Sequence, residues 1–321
     1  MSGSNRKQVN KMRIIKSVLI LAVLAAIPVL AQGPPPSFAP PQLDQLVARI
    51  ALYPDPLVAQ ILAGATYPDQ IADAERWADA HHYLHGQALA DAIQGDQLPW
   101  DPSVQALLPF PSVLEMMASD LNWTSDLGNA FLSQERDVMD AIQRQRRRAR
   151  NYGYLRSNGQ IIVGGGPYIT IMPVNPAYVV VPYYDPGVVY YAPRPGFYVG
   201  GGIRFGYGVT IGGFFRPWGW GYDRFDWDRH DVFINNNRWG RNWGNRGVYV
   251  HPYEGVHRYG PGDRGQEHHE VYDRSEHERE YEREGHRAPE EHRGGGNHGQ
   301  DNGGDHGHNR GGDHGGDHDH K

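Results

Sequence analysis

None of the 321 residues is a cysteine. That absence excludes a disulfide framework, a lipidated N-terminal cysteine and a thiol nucleophile, so the chain is held together by packing alone. Apolar character is scarce as well. Mean hydropathy is −0.64, and with 41 glycines and 24 prolines part of the chain is expected to pack no core. Catalytic signatures are missing too: there is no GxSxG elbow, HExxH, phosphate-binding loop or GxGxxG after a strand. Gly206, Gly208 and Gly212 miss the dinucleotide spacing by one residue.

There is a single long hydrophobic run, SVLILAVLAAIPVLA, about 15 residues long and too short to cross a bilayer comfortably as a helix. It follows MSGSNRKQVNKMRIIK, which carries five basic residues and no acidic one, and it ends with Val29 and Ala31 at small-residue positions. Residues 1–31 therefore read as a cleaved export signal, with an uncleaved membrane anchor as the alternative. After cleavage 26 basic residues face 37 acidic ones, a net charge of about −11. That balance disfavours nucleic acid as the main partner.

Residues 32–41 are a proline-rich, extended linker. Residues 42–150 then carry a helical grammar. Leu43, Leu46, Val47 and Ile50 recur on one face, as do Val58, Ile61, Leu62 and Ala65. Leu62 and Trp77 are expected to be buried. Asp55-Pro56 and Asp101-Pro102 read as helix starts, the carboxylate capping free amides and the proline fitting the first turn. Five or six short helices are expected, ending in RQRRRAR.

From residue 151 to 258 the pattern changes. GQIIVGG, YITIMPV, YVVVPYY and VVYYAP are short β-branched and aromatic runs broken by glycine and proline, and they read as strands. A glycine–aromatic belt follows, and 21 of the chain's 36 aromatic residues lie between 182 and 259. The belt can be its own core, a face for peptidoglycan or another envelope partner, or a membrane-surface contact, with Trp218, Trp220 and Trp227 as the rings of that face. Residues 259–321 form a polar tail too poor in apolar residues to fold alone. The fold class expected is α+β: a bundle of short helices, a small Gly/aromatic-rich β region and a disordered tail.

The runs IALYPDPLVAQILAGATYPDQIADAERWA and NPAYVVVPYYDPGVVY, with DLNWTSDLGNAFLSQERDVMDAIQRQR between them, resemble a bacterial exported family known as domain of unknown function 3300. The likeness covers roughly residues 42–245. It implies a Gram-negative envelope protein with a helical front and a strand-rich, aromatic continuation. It implies no catalytic or binding residue.

Three sets of residues could carry chemistry. In the tail, His306, His308, His314, His318 and His320 are spaced by glycine and aspartate, so copper, nickel or zinc could bind there without any cofactor being required. In HHYLH, His81 and His85 would stand one helical turn apart, a chelating spacing, or simply mark the polar end of a surface helix. Arg144, Arg146, Arg147, Arg148 and Arg150 would complement a helix C-terminus or dock on anionic lipid or lipopolysaccharide phosphates. Asp55, Asp69 and Asp185 each adjoin proline, where capping and turn roles are ordinary. The function expected is a non-catalytic envelope scaffold or interaction protein. Metal buffering by the tail and an unrecognised periplasmic hydrolase are the alternatives.

Overall fold

The computed structural model describes residues 33–193, 201–249 and 253. The expected signal, and the tail from residue 259 with the five histidines singled out above, lie outside the described residues.

Seven helices fill the first half: α1 (Pro40–Val47), α2 (Asp55–Ala65), α3 (Pro68–Ala80), α4 (Gly86–Gly95), α5 (Pro102–Gln105), α6 (Pro111–Ala118) and α7 (Leu121–Asn151). Five of them (α1, α2, α3, α5 and α6) open on or beside a proline, whose fixed φ suits the first turn and whose missing N–H is not needed there. Asp101 caps as expected, its Oδ1 accepting from the Ser103 amide at 3.0 Å. Asp120 opens α7 in the same way, accepting from the Trp123 amide at 3.1 Å. The long α7 breaks at Gln134 (φ −140°, ψ 45°). There the Gln134 side chain accepts from the Phe38 amide and donates to its carbonyl, tying the proline-rich linker to the break.

The second half contains β1 (Ile161–Val163), β2 (Ile171–Pro173), β3 (Tyr178–Val179), β4 (Pro182–Tyr184), α8 (Pro186–Val189), β5 (Ile203–Phe205), β6 (Val209–Thr210), β7 (Arg224–Asp226), β8 (Asp231–Ile234) and β9 (Asn237–Arg238). All pairings are antiparallel: β1 with β2, β3 with β6, β4 with β5, and a three-stranded sheet in the order β7-β8-β9. Three of the four expected strands occur. VVYYAP does not form a strand, because Asp185 accepts from the Gly187 amide at 2.7 Å and starts the short α8 instead.

The two halves do not pack as separate domains. Their apolar residues share two clusters: α2, α6 and α7 contribute to one together with Trp218, Trp220, Trp227 and Trp239, and Leu52 and Ala149 join Ile161, Ile171 and Tyr190 in the other. Helix α2 is the axis of this arrangement. Its expected stripe is buried, Leu62 included, but so is every other residue from Asp55 to Ala65, because the β region covers the remaining face. A helix covered all round is a core helix. Helix α7 crosses its end at Gly128, where a Cβ would stand 2.0 Å from the Ala65 carbonyl oxygen.

One burial expectation, that of Trp77, is corrected, and of the three readings of the glycine–aromatic belt the exposed face is corrected in favour of a core at its three named tryptophans. Trp77 is only half-buried; its Nε1 donates to Asp96 at 2.7 Å and its ring stacks on His81 at the rim of the bundle. Trp218, Trp220 and Trp227 present no exposed face, being 1%, 0% and 5% exposed. Each indole N–H has a partner inside the core: Gln105 Oε1 at 3.0 Å, the Ala106 carbonyl at 2.9 Å and Asp55 Oδ2 at 3.2 Å, respectively. Burial without loss of the N–H bond is what makes tryptophan a favourable core residue here.

Behind Trp218 lies a buried polar knot. Gln60 Nε2 donates to the Trp218 carbonyl and to Asp223 Oδ2, both at 2.8 Å, and the Asn235 amide donates to Asp223 Oδ1 at 3.0 Å. Burial pushes the Asp223 carboxyl up from 3.8 to about 7, although both hydrogen bonds oppose the rise. The native state thus holds a proton that the unfolded chain releases near pH 4, so stability falls as pH rises from about 4 to 7. In denaturant titrations at pH 4.5 and 7.5, Asp223→Asn should flatten this dependence by up to roughly 3 kcal/mol. Equal slopes in the two proteins would place the pH dependence elsewhere, first at Glu135, which burial also raises to about 7.

Candidate binding cleft

The YPDP and VPYYDP motifs, 130 residues apart in sequence, meet in space. Asp55 of the first is not a cap, although it opens α2; no side chain caps that helix. It is 3% exposed and forms an ion pair with Arg146, which is 0% exposed, at 2.6 Å. Asp55 Oδ1 also accepts from the Ile171 amide, and Arg146 donates to the carbonyls of Ala51, Tyr53 and Ile169. The Trp227 ring lies 5.0 Å from the guanidinium carbon. Such a pair persists in low dielectric only when the remaining donors and acceptors are occupied, as they are here.

Above this knot, the second motif docks on the α1–α2 connection. The hydroxyls of Tyr184 and Tyr190 both donate to the Ala48 carbonyl, at 3.0 and 2.9 Å, and Tyr184 also accepts from the Leu52 amide. Tyr53 meets Tyr184 edge to face at 6.1 Å between centroids. Burial pushes the Tyr53 hydroxyl up to about 12, with Tyr183 adding to the shift, and it raises Tyr184 and Tyr190 as well. All three rings therefore keep their protons at neutral pH.

Where the motifs meet, the surface opens into a cleft of about 800 Å³, lined among others by Arg49, Tyr53, Met116, Tyr183, Tyr184 and Arg204. A second cleft of about 590 Å³ shares Arg49 and Pro186 with it and adds Asp44, Arg148, Tyr152 and Tyr191. Together they make one groove along this face. Arg49 is fixed in it, bonding Asp120 at 3.0 Å and lying 5.0 Å over the Trp123 ring. Arg204 has no hydrogen bond or ion pair among the described residues, and it stands opposite Tyr183 in the β4–β5 register.

Most residues singled out by sequence are dispersed, although His81 and His85 line one further cleft of about 450 Å³. Of the arginine cluster, Arg146 is interior, Arg144 and Arg148 pair with Asp44 at 2.7 and 3.0 Å, and only Arg147 and Arg150 stay exposed without such a pair. Packing of α7 thus withdraws Arg146 from the surface, and Asp44 offsets part of the charge of Arg144 and Arg148. His81 and His85 are not one turn apart on a helix, since α3 ends at Ala80. The His81 ring bonds back to the Trp77 carbonyl, His85 precedes α4, and no group of three metal-ligating side chains occurs among the described residues. Asp185 keeps its turn role. The reading by pattern missed Arg49, Tyr183 and Arg204. Its only signal for them was the YPDP and VPYYDP motifs, whose tyrosines line the groove.

A helical front carrying a strand-rich aromatic region over one shared core, with this groove between the two motifs, is the architecture of the chain. The family model described as "Protein of unknown function (DUF3300)" matches residues 39–269, and the protein belongs to that family. It is similar to the uncharacterized protein YacH of Escherichia coli (strain K12), with 34% identity over 207 residues that cover 54% of this chain and 33% of that protein. The chain thus spans about a third of the length of that curated relative. No solved structure matches it.

Proposed function

We propose that the protein is an exported, non-catalytic component of the bacterial cell envelope that holds a partner in the groove between its YPDP and VPYYDP motifs. One observation carries the reading. Exposed tyrosines and arginines converge on two adjoining clefts, of the size range, about 300–1,000 Å³, in which proteins enclose ligands. The groove is lined by more guanidinium than carboxylate groups, and its aromatic rings offer wide contact at low entropic cost. Export is supported by the basic, then apolar, N-terminal segment.

Co-sedimentation with purified cell envelopes tests this. The protein should pellet with them, and the surface double variant Tyr183→Ser with Arg204→Ser should lose most of that association while keeping its melting temperature. Unchanged association of this variant, with loss on truncation after residue 260, would move the partner contact to the tail.

The spacing of His306, His308, His314, His318 and His320 among glycines and aspartates supports a second, separable activity of the tail. Imidazoles spaced by glycine can satisfy many geometries but select poorly among metals, since ordering a glycine-rich chain opposes binding. Titration of the full chain with copper, nickel and zinc should show copper bound most tightly, with binding fading below about pH 6 as imidazoles protonate. The chain truncated after residue 260 should lose this binding. Retention would place the ligands in the folded part.

A further inference from the structure

We propose that the groove receives a linear saccharide bearing carboxylate groups. This rests on the binding reading above and names the ligand class. The first observation is the cross-strand pair. Tyr183 and Arg204 are directly opposite one another in β4 and β5, so their side chains share one face of the two-stranded sheet. Both are exposed, Tyr183 at 54%. A sugar ring has an apolar C–H face that lies against an aromatic ring, and a rim of hydroxyls that meet donors and acceptors such as the tyrosine O–H. A carboxylate on that sugar takes two parallel N–H···O bonds from a guanidinium. Ring and guanidinium side by side match both halves of such a unit.

The second observation is the charge along the groove. Arg49, Arg148 and Arg204 line it against Asp44 and Asp185. Asp44 is already paired with Arg144 and Arg148, and Asp185 Oδ1 accepts from the Gly187 amide. Arg204 is left to a ligand. Arg49 is held in place by Asp120 and Trp123, so little side-chain freedom is lost when an anion docks on it.

The third observation is length. The two clefts adjoin at Arg49 and Pro186, and exposed Tyr152 and Tyr191 flank the second as Tyr183 flanks the first. Repeated aromatic and cationic positions suit a polymer with a repeated ring and a repeated charge. A neutral glycan leaves Arg204 without a partner, and a compact anion leaves the rings unused. Nucleic acid offers the same two chemistries, a ring face and a regularly spaced anion, and the test below sets it against the saccharide.

Calorimetric titration of the chain beginning at Gln32 with four probes tests the proposal: tetragalacturonate, cellotetraose, citrate and an oligodeoxythymidine. Tetragalacturonate should bind, more weakly as salt rises. Arg204→Gln and Tyr183→Leu should each weaken it at least ten-fold without changing the melting temperature. Tyr207→Leu, at a fully exposed tyrosine that lines neither cleft, should not. Equal binding of cellotetraose or of citrate would overturn the proposal, as would preferential binding of the oligonucleotide. If no probe binds while envelope association still depends on Tyr183 and Arg204, the saccharide class fails and the binding reading stands. If that dependence is absent too, both fail.

Discussion

Replacing Asp55 by alanine is expected to destabilise the protein by about 3–5 kcal/mol, the cost of leaving a buried charge without its partner. Arg146 is fully enclosed, and the three carbonyls it also bonds cannot neutralise it. Loss of the carboxylate further strands the Ile171 amide and the Trp227 N–H, both of which donate to it. An ordinary helix cap at this position would cost only about 1 kcal/mol, so urea denaturation separates the two roles. Arg146→Met alone should be similarly damaging. The double variant Asp55→Leu with Arg146→Met should lose much less than the sum of the single changes, because removing both charges removes the desolvation problem. Additive losses would show that the two groups act independently.

Trp220→Ala should cost about 3–5 kcal/mol, the range for deleting a large aromatic side chain from a packed core. Its ring lies 4.9 Å from that of Phe110, its N–H bonds the Ala106 carbonyl, and it is completely buried between the helical and β halves. The loss should appear as a single cooperative transition at lower denaturant, since helices and strands share the core that is opened. A cost below about half a kcal/mol, with weakened envelope association, would mean that the tryptophan belongs to a contact face after all.

These two side chains also explain how the groove is held. Arg146 and Asp55 fix the backbone at Tyr53 and Ile169, and Tyr184 of the second motif locks onto Ala48 and Leu52 just beside them. The groove walls are thus anchored to the best-packed part of the molecule, while Tyr183 and Arg204 stand free on its surface. Rigid support beneath an exposed aromatic and cationic rim lowers the ordering cost of binding.

Much of this architecture was legible residue by residue. Proline at helix starts, the Asp101 cap and the i, i+3, i+4 spacing of Val58, Ile61 and Leu62 are local signals, and local signals survive into the fold. The change from helical period to short β-branched runs near residue 151 is of the same kind. The fate of a charged or aromatic side chain was not local. Asp55 reads as a cap because proline follows it, yet only the arrival of α7 from 91 residues away supplies Arg146 and turns the cap into a buried ion pair. Trp218, Trp220 and Trp227 read equally well as a sticky face or a core, since glycine–aromatic composition has no period that marks an inside. The uncovered sides of the helices decided it: the Trp218 and Trp227 segments bond Gln60 and Asp55 of α2, and Trp220 packs on Phe110. The groove is the clearest case. Arg49, Tyr183 and Arg204 belong to three segments with no pattern in common, and only the antiparallel register of β4 with β5 and the docking of Tyr184 on Ala48 put them on one surface.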